Sequence, residues 1–352
     1  MYIFSKFILK LFKPLSLMFK PTTIKDIAKA LNLSTSTVSR ALRGGYEISE
    51  ETKKIVLDYA EKVNFKRNPI ALSLKERRSY SIGVIVCEVA NQFFSQAIDG
   101  IESVAYSKGY HVIISQTHDS YDREVINVEH LANRSIDGLL VSLSAETKDY
   151  SHLEKLHEQG LPIVFFDRVL NSMNTHKVSS NNVKGAFEAT EFLIKKGCKR
   201  IAHLANASQL SITAERQKGY EEALKKHNIP VDDKLIKYCK HGGRDKMEVE
   251  IAVREFIDHD PPDAIFVASD RLSTGCLSTL KKYATNSNIL VAGFSNSELV
   301  ELLNPSLSYI RQPAFEMGKK ATEMLINIIE SKYPIEEFES IMLDTTLHPN
   351  GA

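Results

Sequence analysis

The chain has no tryptophan and only four cysteines, Cys87, Cys198, Cys239 and Cys276, which lie far apart with no CxxC pair. Without that pairing, or histidines at zinc-ligand intervals, neither a disulfide framework nor a structural zinc is read, and the thiols are taken as reduced and mostly buried. The uncharged apolar run of about 20 residues that spans a bilayer is missing too, so no membrane partner is expected. No Gly-rich dinucleotide fingerprint follows the first strand, and there is no Walker loop, GxSxG elbow or HExxH helix. The chain is therefore read as a non-enzyme with no cofactor and no metal. Nor is there a global excess of charge: 45 Lys and Arg stand against 44 Asp and Glu, so the net charge of +1 does not point to an anionic partner.

What is there is unevenly placed. A length of 352 residues implies two or three folding units. The first 80 residues are rich in Lys and Arg, including Lys62, Lys66, Arg67, Lys75, Arg77 and Arg78, on an otherwise mildly acidic body. A basic N-terminal unit suits phosphate neutralisation by one domain. Residues 1–20 are apolar but interrupted by Lys6, Lys10, Lys13 and Lys20, with Pro14 breaking the helical run and no small-residue cleavage pattern. They are read as a disordered N-terminal extension (1–21) rather than a signal peptide.

From Thr22 to about Phe65 three short helical patterns follow one another without a strand signal. Ile24, Ile27, Ala28 and Leu31 recur at i, i+3, i+4, i+7, with Thr22 or Thr23 as cap. Asn32, Leu33 and Ser34 make a turn. Ser34 caps a second helix with Val38, Ala41 and Leu42 inward and Thr35, Ser36, Ser39 and Arg40 outward, and Gly44-Gly45 stops it. A third helix starts at Ser49-Glu50-Glu51-Thr52, with Ile55, Val56, Tyr59, Ala60 and Val63 as its apolar stripe. Residues 67–80 form a basic linker around one marginal helix, too short to hold alone in water.

Beyond Ser81, β-rich runs at 82–86, 111–115, 138–142, 163–166, 200–204, 264–268, 289–292 and 307–310 alternate with amphipathic helical stretches. That alternation means parallel sheets flanked by helices. The number of strands, and the restart near Cys198, predict two doubly wound lobes with a ligand cleft at the strands' carboxyl ends. The resulting organisation is an extension at 1–21, a helix-turn-helix domain at 22–66, a hinge at 67–80, a two-lobed core at 81–346 and a tail at 347–352.

The run TTIKDIAKALNLSTSTVSRAL at 22–42, followed by ISEET at 48–52, resembles the lactose-repressor family of bacterial transcription regulators. The resemblance continues through the core at Phe93-Phe94, Phe166-Asp167-Arg168, Arg216-Gln217-Lys218-Gly219-Tyr220, Ala268-Ser269-Asp270, Val291-Ala292-Gly293-Phe294 and Ile310-Arg311-Gln312-Pro313. It implies a helix-turn-helix domain joined by a hinge helix to a periplasmic-binding-protein-like core. It also implies a homodimer on a pseudo-palindromic double-stranded DNA operator, a small-molecule effector of the sugar or related metabolite class, and a cytoplasmic setting. A solute-binding protein with the same core is the alternative, disfavoured because such a receptor has no use for a basic helix-turn-helix unit.

Residue by residue, the resemblance implies that Thr35 and Ser36 face bases and that Arg40 reaches a base or a phosphate. Thr23, Ser34, Ser39 and Asn68 would touch backbone phosphates. Asn68, Ala71 and Leu74 would form the hinge helix, with Leu74 as a minor-groove wedge. Phe93 and Phe94 offer either a flat wall for a ligand or ordinary core, and Arg168 and Arg216 either fork onto ligand oxygens or form salt bridges. Asp167 orients Arg168 or caps a turn; Ser269 and Asp270 contact ligand or cap the helix after them. Three departures stand out: Pro69 follows Asn68 rather than preceding it, Leu72 occupies a position often basic, and Ser295 stands where many members carry a ligand-binding Asp.

Overall fold

The computed structural model describes residues 22–44, 47–65, 78–258, 260–284, 288–302 and 307–349. Asn68, Ala71, Leu74 and the linker around them lie outside these, as does the extension at 1–21. The chain divides into two compact units, Met1–Arg77 and Arg78–Ala352.

In the first unit, α1 (Ile24–Leu31), α2 (Thr35–Ala41) and α3 (Glu50–Lys62) surround a core of Ile27, Ala28, Val38, Ala41, Val56 and Ala60. So few buried side chains leave the caps to supply a large share of the stability, at about 1 kcal/mol each. Thr23 and Asp26 form a reciprocal capping box, Asp26 N–H donating to Thr23 Oγ1 at 3.3 Å and Thr23 N–H to Asp26 Oδ2 at 2.9 Å. Ser34 accepts from Thr37 N–H at 3.0 Å and Ser49 from Thr52 N–H at 3.3 Å. Asn32, at φ 54°, takes the left-handed conformation that ends α1 and turns the chain into α2. One expectation fails here: Ile55 is 49% exposed, because the buried line of α3 runs through Val56 and Ala60, one turn apart, and Ile55 lies about 100° around the helix from Val56.

The second unit holds two six-stranded sheets of matching order. The first contains β1 (Ser81–Val86), β2 (His111–Gln116), β3 (Gly138–Val141), β4 (Ile163–Phe166), β5 (Lys177–Ser180) and β11 (Ser340–Leu343), in the order β11-β5-β4-β3-β1-β2 and wholly parallel. The second contains β6 (Ile201–Ala205), β7 (Ile236–Tyr238), β8 (Ala264–Val267), β9 (Leu290–Phe294), β10 (Leu307–Arg311) and β12 (Thr346–His348), in the order β12-β10-β9-β8-β6-β7. All its pairs are parallel except β10 with β12. The central strands β3, β4 and β8 are buried along their full length, as strands covered on both faces must be. The chain passes between lobes three times, after Ser180, after Arg311 and after Leu343.

The eight runs read from sequence are strands, with ends shifted by a residue or two. The other four, β5, β7, β11 and β12, are short and polar or lie at or next to a sheet edge, so they carry little apolar signal; β12 takes in Leu347 and His348. Around the sheets pack α4 (Gln92–Ser107), α5 (Tyr121–Asn133), α6 (Ser151–Glu158) and α11 (Ala314–Glu330) in the first lobe, and α7 (Asn182–Lys195), α8 (Ser211–Lys226), α9 (Lys246–Ile257) and α10 (Asp270–Tyr283) in the second. No helix among the described residues is long and apolar enough to cross a membrane.

Helices α4 and α11 approach backbone to backbone. A Cβ on Gly318 would fall 2.0 Å from the Ala97 carbonyl oxygen, and one on Gly100 would fall 2.0 Å from that of Phe315. Both contacts are with rigid main chain, so a side chain at either position forces the helices apart. Gly318→Val is therefore expected to lower unfolding stability by at least about 1–3 kcal/mol, read as a lowered urea midpoint. An unchanged midpoint would show that this close crossing does not hold the lobe together.

Candidate effector cleft and DNA-reading helix

The cleft is built from loops leaving the carboxyl ends of both sheets. Cys87 and Glu88 follow β1, Asp119 follows β2, and Asp167 and Arg168 follow β4; Asn206, Arg244, Asp270 and Gln312 follow β6, β7, β8 and β10. They enclose a cavity of about 70 Å3, with Phe93, Phe94 and Phe294 as its aromatic walls. Phe93 and Phe94 stand edge to face at 5.2 Å in the first turn of α4 and are nearly buried, so they are both core and wall.

Arg216 enters from α8. Its guanidinium lies 3.8 Å from the centre of the Phe294 ring, while Nε donates to Asn182 Oδ1 at 2.9 Å and Nη1 donates to the Ala268 carbonyl. Burial pulls its pKa down to about 10, against the charges of Asp167 and Glu215, so it stays cationic at neutral pH. Behind Phe294 stands an aromatic cluster: Phe266 packs on Phe294, and His203 packs on Phe266 at 4.8 Å and on Tyr220 at 5.1 Å, those two rings being 6.2 Å apart. His203 Nδ1 pairs with the Phe266 carbonyl at 3.2 Å.

Arg168 is committed within its own lobe. It pairs with Asp119, and it donates to Cys87 Sγ at 3.0 Å and to the Leu143 carbonyl at 3.3 Å. Burial opposes ionisation of Asp119, but the Arg168 charge and hydrogen bond outweigh it and hold the carboxyl at about 2. Asp167, at φ 59°, stays 4.0 Å from Arg168 Nε, so Asp119 is the main partner of Arg168. Burial pushes the Cys87 thiol well up, which keeps it neutral and unreactive.

Asp270 lines the cavity, accepting the Ser295 hydroxyl and the Asn296 N–H at 3.1 Å. Ser295 thus sits behind Asp270 rather than in the cavity wall. Ser269 holds the N-cap position of α10, yet its hydroxyl donates to Asn206 Oδ1 at 3.1 Å instead of capping. The structure adds residues that the sequence reading did not single out: Glu88, Asn91, Asp119, Asn206, Arg244 and Arg271. Strand ends pointed to their neighbourhood, but polar residues in loops carry no periodic signal. Two of them reach across the lobes, Arg271 pairing with Glu88 and Arg244 donating to the His118 carbonyl.

On the first unit, Thr35, Ser36 and Arg40 are exposed along α2. Ser34 and Ser36 hydroxyls meet at 2.7 Å, Ser39 accepts from Arg43 at 2.8 Å, and Arg40 Nη1 lies 3.0 Å from Glu47 Oε2. With both partners more than half exposed, that pair is weak and leaves Arg40 available to another acceptor.

Residues 79–344 match the family model for periplasmic binding proteins and the sugar-binding domain of the LacI family, and residues 23–68 match that for bacterial regulatory proteins of the lacI family. The chain belongs to the LacI family. It is a DNA-binding, ligand-controlled transcriptional repressor, and the helix-turn-helix match sets aside the solute-receptor alternative. Among its relatives, the HTH-type transcriptional repressor PurR of Vibrio atlanticus (strain LGP32) is 31% identical over 88% of this chain and 92% of its own length. Catabolite control protein A of Priestia megaterium is 27% identical over 86% and 91%. Among solved structures, a transcriptional regulator CelR–cellobiose complex matches 93% of this chain and 98% of its own at 25% identity and a TM-score of 0.68. The lac repressor dimer bound to operator and an anti-inducer matches 94% and 98% at 20% identity and a TM-score of 0.79, a likeness of fold alone.

The stack behind Arg216 makes a pH prediction. Burial, outweighing the hydrogen bond to the Phe266 carbonyl, lowers the His203 pKa from 6.5 to about 4. The unfolded chain then binds a proton that the folded chain refuses. This stabilisation is complete above pH 6.5 and is lost as pH falls through that value toward 4, a loss of up to about 3 kcal/mol. In His203→Phe the acid limb of the stability profile between pH 6.5 and 4 should flatten by about that amount. A profile with the same slope as wild type would show that His203 titrates freely in the fold.

Proposed function

We propose that this repressor acts as a homodimer on a pseudo-palindromic operator and is switched by a polar small molecule, of the sugar or related metabolite class, held between its lobes in the cytoplasm. The observation that carries the reading is Arg216, buried on the face of Phe294 where the carboxyl ends of both sheets meet around a polar cavity. A flat apolar ring beside a charged fork suits a molecule with one apolar face and several oxygens. Phe93, Phe94, Arg168, Arg216, Ser269 and Asp270 are assigned to this cleft, with Ser295 fixing Asp270 from behind.

The DNA reader is α2. Thr35, Ser36 and Arg40 are assigned to base edges, and Thr23, Ser34 and Ser39 to phosphates. The Thr23 and Ser34 hydroxyls already cap helices, so they approach phosphate together with the N–H groups at those helix starts. Asn68, Ala71 and Leu74 complete the set from the linker, by family resemblance. Homodimerisation is supported by apolar side chains exposed in both lobes: Ile114 and Ile126 in the first, and Met247 and Ile251, one turn apart on α9 and 70% and 53% exposed, in the second.

Two variants separate the two halves of this reading. Arg40→Ala should weaken specific operator binding by about 1–3 kcal/mol while non-specific affinity falls far less. An unchanged ratio of the two removes Arg40 from base readout. Arg216→Met, which keeps bulk on Phe294 without charge, should abolish the response of operator affinity to ligand and leave ligand-free DNA binding intact. A normal response in a folded Arg216→Met protein would move the effector elsewhere.

A further inference from the structure

Beside the cleft a second concavity of about 520 Å3 opens between α9 and α10, and Asn91, Arg244, Asp270 and Arg271 line both it and the inner cavity. Its charges do not balance once existing partners are counted. The two carboxylates on its wall are already engaged: Glu250 accepts Lys282 Nζ at 3.2 Å and the Tyr283 hydroxyl, and Asp270 accepts Ser295 and Asn296. Three cations face them. Arg271 pairs with Glu88 of the other lobe. Arg244 donates to a neutral acceptor, the His118 carbonyl; its nearest carboxylate, Asp119, is 3.9 Å away and already held by Arg168 and by Ala145 N–H. Arg244 Nε is buried with no hydrogen-bond partner among the described residues. Lys246 makes no ion pair among the described residues.

A guanidinium with an unused buried N–H, a second paired across to the other lobe and a lysine beside them form a site for an oxyanion, which accepts several charge-assisted hydrogen bonds at once. We propose that this vestibule binds an anionic oxygen group, a phosphate or a carboxylate, carried by the molecule whose body lies in the cleft. The assignment rests on the reading of the cleft as the effector site. The anion takes Arg271 from Glu88 and Arg244 from the His118 carbonyl. Because these are contacts between lobes, occupancy of the vestibule exchanges cross-lobe bonds for bonds to ligand. Charge on the effector thereby acts on lobe geometry as well as on affinity.

Calorimetric titration of the full-length protein at constant ionic strength tests this, using inorganic phosphate and pyrophosphate alone, and ribose 5-phosphate and glucose 6-phosphate against ribose and glucose. Saturable binding is expected for at least one phosphate-bearing probe, at least about tenfold tighter than for its neutral counterpart and weakened by about tenfold or more in Lys246→Gln. Tight binding of a phosphosugar with weak binding of inorganic phosphate makes the group part of the effector. Equal affinity for phosphate alone makes the vestibule an independent anion site and overturns the link to the effector. No saturable anion binding, or binding unchanged in a folded Lys246→Gln protein, overturns the vestibule itself. Neutral sugars that bind through Arg216 and shift operator affinity would then leave the cleft reading standing. Anion binding lost in Lys246→Gln, with operator affinity indifferent to every cleft ligand, would support the vestibule and sink the cleft reading.

Discussion

Burying charge where two parallel sheets end against each other is the constraint on which the core depends. Arg168, Arg216, Arg244 and Arg271 share one cavity with Glu88, Asp119, Asp167 and Asp270, and each ion removed from water must find a partner there. The structure meets this in two ways. Arg168 and Asp119 pair within the first lobe, and Arg216 rests within the second on Phe294, Asn182 and the Ala268 carbonyl. Those contacts lie within one lobe each and survive relative motion of the lobes. Arg244 and Arg271 instead complete their bonds in the opposite lobe. The permanent pairs make each half of the site rigid, and the cross-lobe pairs are the ones a ligand can replace.

Burial also sorts the acids. Asp119, beside Arg168, is held well ionised, whereas burial pushes Asp167 and Asp270 upward despite nearby arginines. Asp167 and Asp270 therefore give up their protons less readily than Asp119 does in the same cavity. The helix-turn-helix unit follows the opposite economy. Its core is six small residues, its helix ends are closed by Thr23, Ser34 and Ser49, and its α2 surface is left to hydroxyls and one weakly paired arginine.

Much of this was legible in the sequence. Helix periodicity and cap residues located α1, α2 and α3, and β-rich runs located eight of the twelve strands, including the central ones of both sheets. Arg168, Arg216 and Asp270 could be picked out because Arg168 and Asp270 follow strands and Arg216 opens the run Arg216 to Tyr220 that resembles the family. Glu88, Asp119, Arg244 and Arg271 could not, since their role comes from a meeting of loops and a helix start that are distant in sequence. The short strands β7, β11 and β12 were hidden for a related reason: three or four residues at or near a sheet edge need not be apolar. Ile55 misled because a helix this small buries only one narrow stripe, and periodicity alone does not say which neighbour of Val56 falls outside it.

The central claim is that ligand and DNA act on one equilibrium between lobe arrangements. Spin labels on Glu102→Cys in α4 and Glu222→Cys in α8, both exposed, report the distance between lobes without interference from the four buried native cysteines. Pulsed dipolar spectroscopy of the full-length protein should show two distance populations, with operator DNA and saturating cleft ligand each shifting their ratio, as reciprocal linkage requires. A single distance distribution, unmoved by either, would contradict the account.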